Sequence, residues 1–181
     1  MERGCGNDEN MKKALLVIDM QNFCVGVNHS DYFNYDCENL INSVNQVIAY
    51  NEGNLVVYIQ NILRRDEDNP FAPFEAYEGT KEVELVDNLL LVSEYVFKKY
   101  SGDAFTNPAL DTFLKERDIE CVEVIGVDGG GCVPLTALGA IRSGYKVIIN
   151  EAAIGTKFEK NKNKQFKRLR KMGATIWNSL S

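Results

Sequence analysis

The sequence predicts an α/β domain in which a mostly parallel six-stranded sheet carries helices on both faces. Three observations carry that prediction. Short, continuous apolar runs recur along the chain, as strands buried on both faces require. Segments with apolar residues at three- and four-residue intervals fall between them, as crossover helices require. Gly, Pro and Asn separate the two kinds of segment, so strands and helices alternate in βαβ fashion.

The first strand is Ala14 to Ile18 (ALLVI), bounded by Lys13 and Asp19. From Cys37 to Tyr50, Leu40, Ile41, Val44, Val47 and Ile48 keep helical spacing, and Gly53 is read as the stop. Leu55 to Ile59 is the second strand. Asn61 to Gly79 has no period and contains Pro70, Pro73, Phe71, Phe74 and Tyr77, so it reads as a long loop of the kind that carries function. Tyr95 to Phe97 belongs to a third strand. Asn107 to Lys115 is a helix with Asn107 as N-cap and Pro108 at its first position. Val122 to Val127 is the fourth strand and Cys132 to Ser143 a helix closed by Gly144. Tyr145 to Asn150 is the fifth strand, Lys160 to Met172 a helix, and Ala174 to Asn178 the sixth strand. Residues 1–12 are polar and aperiodic and read as a disordered tail, leaving 13–181 as one domain.

With 45% hydrophobic and 25% charged residues the composition is that of an ordinary globular protein, and no apolar run approaches the roughly 20 residues of a membrane span. The polar start lacks the apolar stretch of a secretory signal, so a cytoplasmic location is expected. A net charge of -6 disfavours nucleic acid or anionic membrane as partner and leaves a small molecule. The basic run from Lys157 to Lys171 is read as a solvated helix face, with an anion site as the alternative. The cysteines Cys5, Cys24, Cys37, Cys121 and Cys132 form an odd set without a CxxC pair, which suits free thiols better than a zinc site or disulfide framework. His29 is the single histidine. Imidazole activation of a nucleophile in the usual arrangement, and any site needing two His ligands, are thereby disfavoured.

In open parallel sheets the site lies outside the carboxyl ends of the strands. That rule points to Asp19, to Lys99 or its neighbour Lys98, and to the turn Gly126-Val127-Asp128-Gly129-Gly130-Gly131 before Cys132. A thiol at a helix start is expected to ionise more readily, and the same N–H groups suit an oxyanion. Each residue also has a structural reading: Cys132 as a small buried hydrophobe, Asp19 as a cap, either lysine as a solvated side chain. Together, a carboxylate and an ammonium near a thiol can activate it without histidine. The turn matches neither GxGxxG nor GxxxxGK[ST], which counts against a nucleotide cofactor. Phe23, Phe71, Phe74 and Tyr77 are candidates to line a pocket, with core or interface packing as the alternative.

The segments ALLVIDMQNF (14–23), VFKKYSGDAFTNPAL (96–110) and GVDGGGCVPLTALGAIRSGYKV (126–147), in this order, resemble the isochorismatase-like hydrolase superfamily, also called cysteine hydrolases. The resemblance implies a Rossmann-like three-layer α/β/α fold and a triad of Asp19, Lys99 and Cys132, Lys99 lying six positions before Phe105. It implies an oxyanion hole from the backbone N–H groups of Asp128 and Cys132, shaped by a cis peptide between Val127 and Asp128. It also implies a homo-oligomer, a dimer or tetramer. The nicotinamidase branch carries an Asp-x-His metal motif with a further His after the second strand; this sequence has none there, so no metal and no other cofactor are expected. Gly129 to Gly131 replace bulkier residues and suggest a loosely defined pocket floor, and Glu151 stands where the family often has Asp. The implied activity is metal-independent hydrolysis of a small amide-like C–N bond through a thioester. A non-catalytic ligand-binding member of the same fold, or a hydrolase of a non-amide substrate of the isochorismatase type, are the alternatives.

Overall fold

A computed structural model of the protein describes residues 11–64 and 74–180. Six strands, β1 (Lys13–Ile18), β2 (Leu55–Asn61), β3 (Val96–Lys99), β4 (Cys121–Val127), β5 (Lys146–Gly155) and β6 (Thr175–Trp177), form one sheet in the order β3-β2-β1-β4-β5-β6. Every neighbouring pair is parallel, so the sheet is wholly rather than mostly parallel. Among the described residues five α-helices accompany it: α1 (Asn22–Val25), α2 (Cys37–Tyr50), α3 (Pro108–Lys115), α4 (Cys132–Arg142) and α5 (Glu159–Lys171).

The continuous apolar runs divide between two cores by the two-residue period of a strand. Leu15 and Val17 of β1 pack with Val56 and Tyr58 against Leu40, Ile41, Val44, Val47 and Ile48 of α2. Ala14, Leu16 and Ile18 face the other way, with Val57, Ile59, Val122 and Val124, against Leu110 and Leu114 of α3, Val133 and Ala137 of α4, and Phe166 and Leu169 of α5. Both faces are covered, and three layers result.

Local signals explain most element ends. The Asn107 side chain accepts from Ala109 N at 3.0 Å with Pro108 at the first helical position, as expected. α2 ends at Asn51 rather than Gly53: buried Asn51 donates from its side chain to the Val47 carbonyl at 2.9 Å, while its N–H bonds Val47 and Ile48. Three strand boundaries differ in ways that affect the site. β2 runs two residues past Ile59 to Asn61, β3 runs to Lys99, and β5 continues past Asn150 to Gly155. Residues 1–10 of the expected tail lie outside the described residues, but Lys12 belongs to the fold: its carbonyl accepts from Glu120 N and Cys121 N at 3.0 and 3.3 Å.

The chain adds β2 and β3 on one side of β1 and β4, β5 and β6 on the other. The sheet therefore reverses between β1 and β4, and a crevice opens at their carboxyl ends. Asp19 follows β1 and Cys132 follows β4 at that point.

Candidate active site

Asp19 leaves β1 in the left-handed region, at φ 53°, which Asp tolerates better than most residues. Its N–H bonds the Ile59 carbonyl at 3.0 Å, and its own carbonyl accepts from Gln21 N at 2.8 Å and the Cys24 thiol at 2.7 Å. The backbone kink turns the side chain out of the sheet with only 4% of the residue exposed. Alternation along β3 separates the two lysines. Lys98 is exposed and paired with Glu78, whereas Lys99 is fully buried.

The Lys99 ammonium is the hub of the site. It donates to Asp19 Oδ2 at 2.9 Å, Asn61 Oδ1 at 2.9 Å, the Ser101 carbonyl at 3.1 Å and Cys132 Sγ at 3.3 Å. Asp19 Oδ1 has no hydrogen-bond partner among the described residues. Burial raises the Asp19 pKa against the lowering effect of Lys99. For Lys99 burial works downward but is outweighed by the charges of Asp19 and Cys132, so its pKa is raised.

Cys132 stands at the start of α4, as expected, but its acidity is opposite to expectation. Burial, reinforced by the Asp19 charge, pushes the thiol up to about 12, more than Lys99 lowers it. Desolvation is thus the largest influence on the thiol, which favours its protonated form at neutral pH.

The glycine-rich turn is sharply defined rather than loose. Gly126 has φ 105°, and a Cβ there would run into the Ile18 carbonyl of the adjacent strand. A Cβ on Gly129 would collide with the Thr156 hydroxyl. The Val127–Asp128 peptide is cis. The Asp128 carboxylate then ties the turn together, accepting from Gly130 N at 2.7 Å, Lys157 N at 2.6 Å and the Tyr35 hydroxyl at 2.9 Å. Glu151 lies within β5 and pairs with Lys162 at 2.7 Å.

A cavity of about 310 Å³ opens onto Asp19, Asn61, Val127, Asp128 and Cys132. That is the lower end of the size range of small-molecule sites. Of the expected pocket residues, Phe23 and Phe74 line it and stack on each other with ring centroids 4.8 Å apart. Tyr77 does not: it forms an isolated bridge with Leu63 that draws it to the loop's own packing. Phe71 lies outside the described residues. His29 is not among the lining residues, and its Nδ1 is 3.0 Å from the Ser30 carbonyl.

Asn61 and Lys157 line the cavity and were not singled out from the sequence. Gln21 holds Asn61 in place, donating to its carbonyl at 3.2 Å and accepting from its N–H at 2.8 Å. The signal that finds both is the strand-end rule applied to the true ends of β2 and β5. Lys157, at the start of the basic run, precedes α5 and joins the cavity wall rather than the solvated helix face.

A family model described as the isochorismatase domain matches residues 13–179. No curated protein sequence gives a significant match. Solved structures do. An isochorismatase-like hydrolase from Alkaliphilus metalliredigens is 26% identical over 92% of this chain and 94% of its own, with a TM-score of 0.79. N-carbamoylsarcosine amidase from Thermoplasma acidophilum is 27% identical over 93% and 96%, also at 0.79. Pyrazinamidase of Pyrococcus horikoshii, in complex with zinc, is 20% identical over 93% and 99% at 0.80, a likeness of fold alone. Among the described residues no three His, Cys, Asp or Glu side chains are grouped to hold a metal ion. The sheet order, the strand-end site and the match over nearly the whole chain agree: this chain belongs to the isochorismatase-like hydrolase family.

Proposed function

We propose that the protein is a metal-independent cysteine hydrolase that cleaves a small amide-like C–N bond, with Asp19, Lys99 and Cys132 as its catalytic triad. The observation that carries this is the Lys99 ammonium, which touches both Asp19 Oδ2 and Cys132 Sγ while Asp19 Oδ1 is left without a partner beside the cavity. In the first half-reaction Asp19 takes the thiol proton as sulfur adds to the carbonyl carbon. The raised pKa of Asp19 makes it a stronger base than a free carboxylate, which suits removal of a proton from so weak an acid. Lys99 stays protonated and offsets the charge passing from carboxylate to sulfur.

The negative oxygen of the tetrahedral adduct rests on backbone N–H groups. The family resemblance implies Cys132 N and Asp128 N as its donors; Val133 N, the next along, is already bonded to the Asp128 carbonyl at 3.2 Å. Protonated Asp19 delivers its proton to the departing nitrogen, the C–N bond breaks, and a thioester remains. Water then gives a proton to Asp19 and its hydroxide to the acyl carbon; the C–S bond breaks, Asp19 returns the proton to sulfur, and the acid is released with thiol and carboxylate restored. Loss of one oxyanion donor typically costs about 100- to 1000-fold in turnover.

The test is mass spectrometry after incubation with activated amides and esters, paired with an ammonia-release screen. An acyl adduct on Cys132, and loss of turnover in Cys132→Ala with the fold intact, are expected. Undiminished hydrolysis by Cys132→Ala would overturn the mechanism. Absence of both adduct and turnover would favour a ligand-binding protein, a reading to which the protonated resting thiol lends some weight.

A further inference from the structure

We infer that Lys162 is a positioning residue: it clamps the first turn of α5 onto Gly129 and Gly130 and so holds the turn that carries the two proposed oxyanion donors. This rests on the hydrolase reading above and adds to it the group that fixes the geometry of the oxyanion site.

Three glycines in a row, Gly129 to Gly131, separate Asp128 from Cys132. Such a run has the widest choice of backbone angles, whereas an oxyanion site acts through donors fixed before the reaction. Something outside the run must therefore hold it. Gly129 and Gly130 are not among the positive-φ glycines, so their backbone angles do not require glycine. Close approach does. A Cβ on Gly129 would meet the Thr156 hydroxyl, Ile154 Cγ2 at 2.9 Å and Lys162 Cδ at 3.3 Å. A Cβ on Gly130 would meet Asn161 Cβ at 3.0 Å and Lys162 N at 3.4 Å. The start of α5 thus occupies the space that side chains of the turn would fill. Lys162 lies against both positions, one with its stem and the other with its backbone.

Charge keeps Lys162 in that place. Its side chain is only 11% exposed, and its ammonium bonds Glu151 Oε1 of β5 at 2.7 Å and Glu159 Oε2, three residues back in α5, at 2.8 Å. Burial works against the charge, but the two carboxylates outweigh it and the pKa is raised, so the ammonium stays charged at neutral pH. The Glu151 pair ties α5 to the strand beside β4, and the far end of that strand takes the Gly129 N–H on the Gly155 carbonyl at 2.9 Å. The turn is gripped between the end of β5 and the first turn of α5. The glycine run and Glu151, two departures from the family pattern, meet at this one lysine: a stem from α5 stands where the turn has no side chains, and Glu151 secures it. Lys162 does not line the cavity, so it acts on the reaction only through the turn.

The experiment compares two reagents at Cys132, followed by peptide mass spectrometry. p-Nitrophenyl acetate acylates the sulfur through a tetrahedral oxyanion; methyl methanethiosulfonate transfers a methylthio group to it with no carbonyl and no such oxyanion. Lys162→Ala is expected to slow acylation about 10- to 100-fold, as a small displacement of the donors implies, with little change in methylthiolation. Glu151→Gln, which leaves the stem and removes one anchor, should show a smaller loss with the same split, and Lys162→Arg should retain most of the wild-type rate. Should Lys162→Ala not fold, Glu151→Gln carries the same comparison. Hydrogen exchange reads the turn without any reaction: the amides of Gly129, Gly130 and Gly131, each bonded in the fold, should exchange faster in Lys162→Ala than in wild type. Unchanged exchange, wild-type acylation by Lys162→Ala, or equal slowing of both reagents would overturn the inference while leaving the hydrolase reading intact. Faster exchange in Lys162→Ala with no acylation of the wild-type chain does the reverse: the clamp stands and the hydrolase reading fails.

Discussion

A thiol whose pKa is raised behaves oppositely to one poised as a thiolate, and this makes Cys132 testable by pH. An unfolded cysteine ionises near 9.0, whereas in the fold burial and the Asp19 charge push Cys132 up to about 12. Between these values the unfolded chain has lost the proton and the folded chain has kept it, so stability from this group is present below pH 9.0 and declines as pH rises toward 12. The raised Lys99 acts in the same direction on the alkaline side. Urea unfolding at about pH 8 and about pH 10 should therefore show wild type losing stability relative to Cys132→Ala; an unchanged difference would sink the buried-thiol assignment. On the acid side, the raised carboxyl of Asp19 sets the limb of kcat/KM. Activity is expected to fall as pH drops, with a midpoint above the 3.8 of a free Asp.

Elements matter here chiefly through their ends. Asn107 joins two of them, capping α3 at Ala109 N and donating to the Lys98 carbonyl at 2.8 Å, immediately before Lys99. Asn107→Ala removes both bonds and is expected to cost about 1–2 kcal/mol in chemical denaturation. Asn107→Asp, which keeps the cap acceptor, should recover part of that loss; equal losses for both variants would show that the cap contributes little. The same attention to ends explains which site residues the sequence disclosed. Asp19 and Cys132 flank unbroken apolar runs and are legible as strand-end residues. Asn61 lies two residues beyond the expected end of β2 at Ile59, and Lys157 seven beyond the expected end of β5 at Asn150. Gln60 extends β2 by pairing with Lys98, and β5 resumes its pairing with β4 at Ile154 and Gly155 past a shift in register, neither of which hydropathy registers.

Across the whole molecule the two ends of the sheet have different tasks. The carboxyl ends hold the site. At the amino end, buried Glu123 receives Lys13 at 2.8 Å and the Asn150 side chain at 2.9 Å, linking β4 to β1 and β5. Lys13→Met strands a carboxylate with almost no solvent access, and a loss of roughly 3–5 kcal/mol is expected. Lys13 does not line the cavity, so kcat of the folded fraction should be unchanged. Lys13→Met combined with Glu123→Leu should recover stability, because the buried charge goes with its partner. Failure of the double variant to recover any would show that the network's geometry, not its charge, holds the strands together.

The apolar runs, helical spacing and caps by themselves determined the α/β class, the six strands and the neighbourhood of the site, because burial on both faces of a parallel sheet leaves a local mark on sequence. Tertiary structure alone decided what depends on neighbours distant in the chain. It joined Lys99, Asn61 and Cys132, residues up to 71 positions apart, around one ammonium. It reversed the expected acidity of Cys132, since desolvation depends on everything packed around a thiol and not on its place in a helix. It also moved Lys157 from a presumed solvated face to the cavity wall, because the length of β5 is set by pairing with β4.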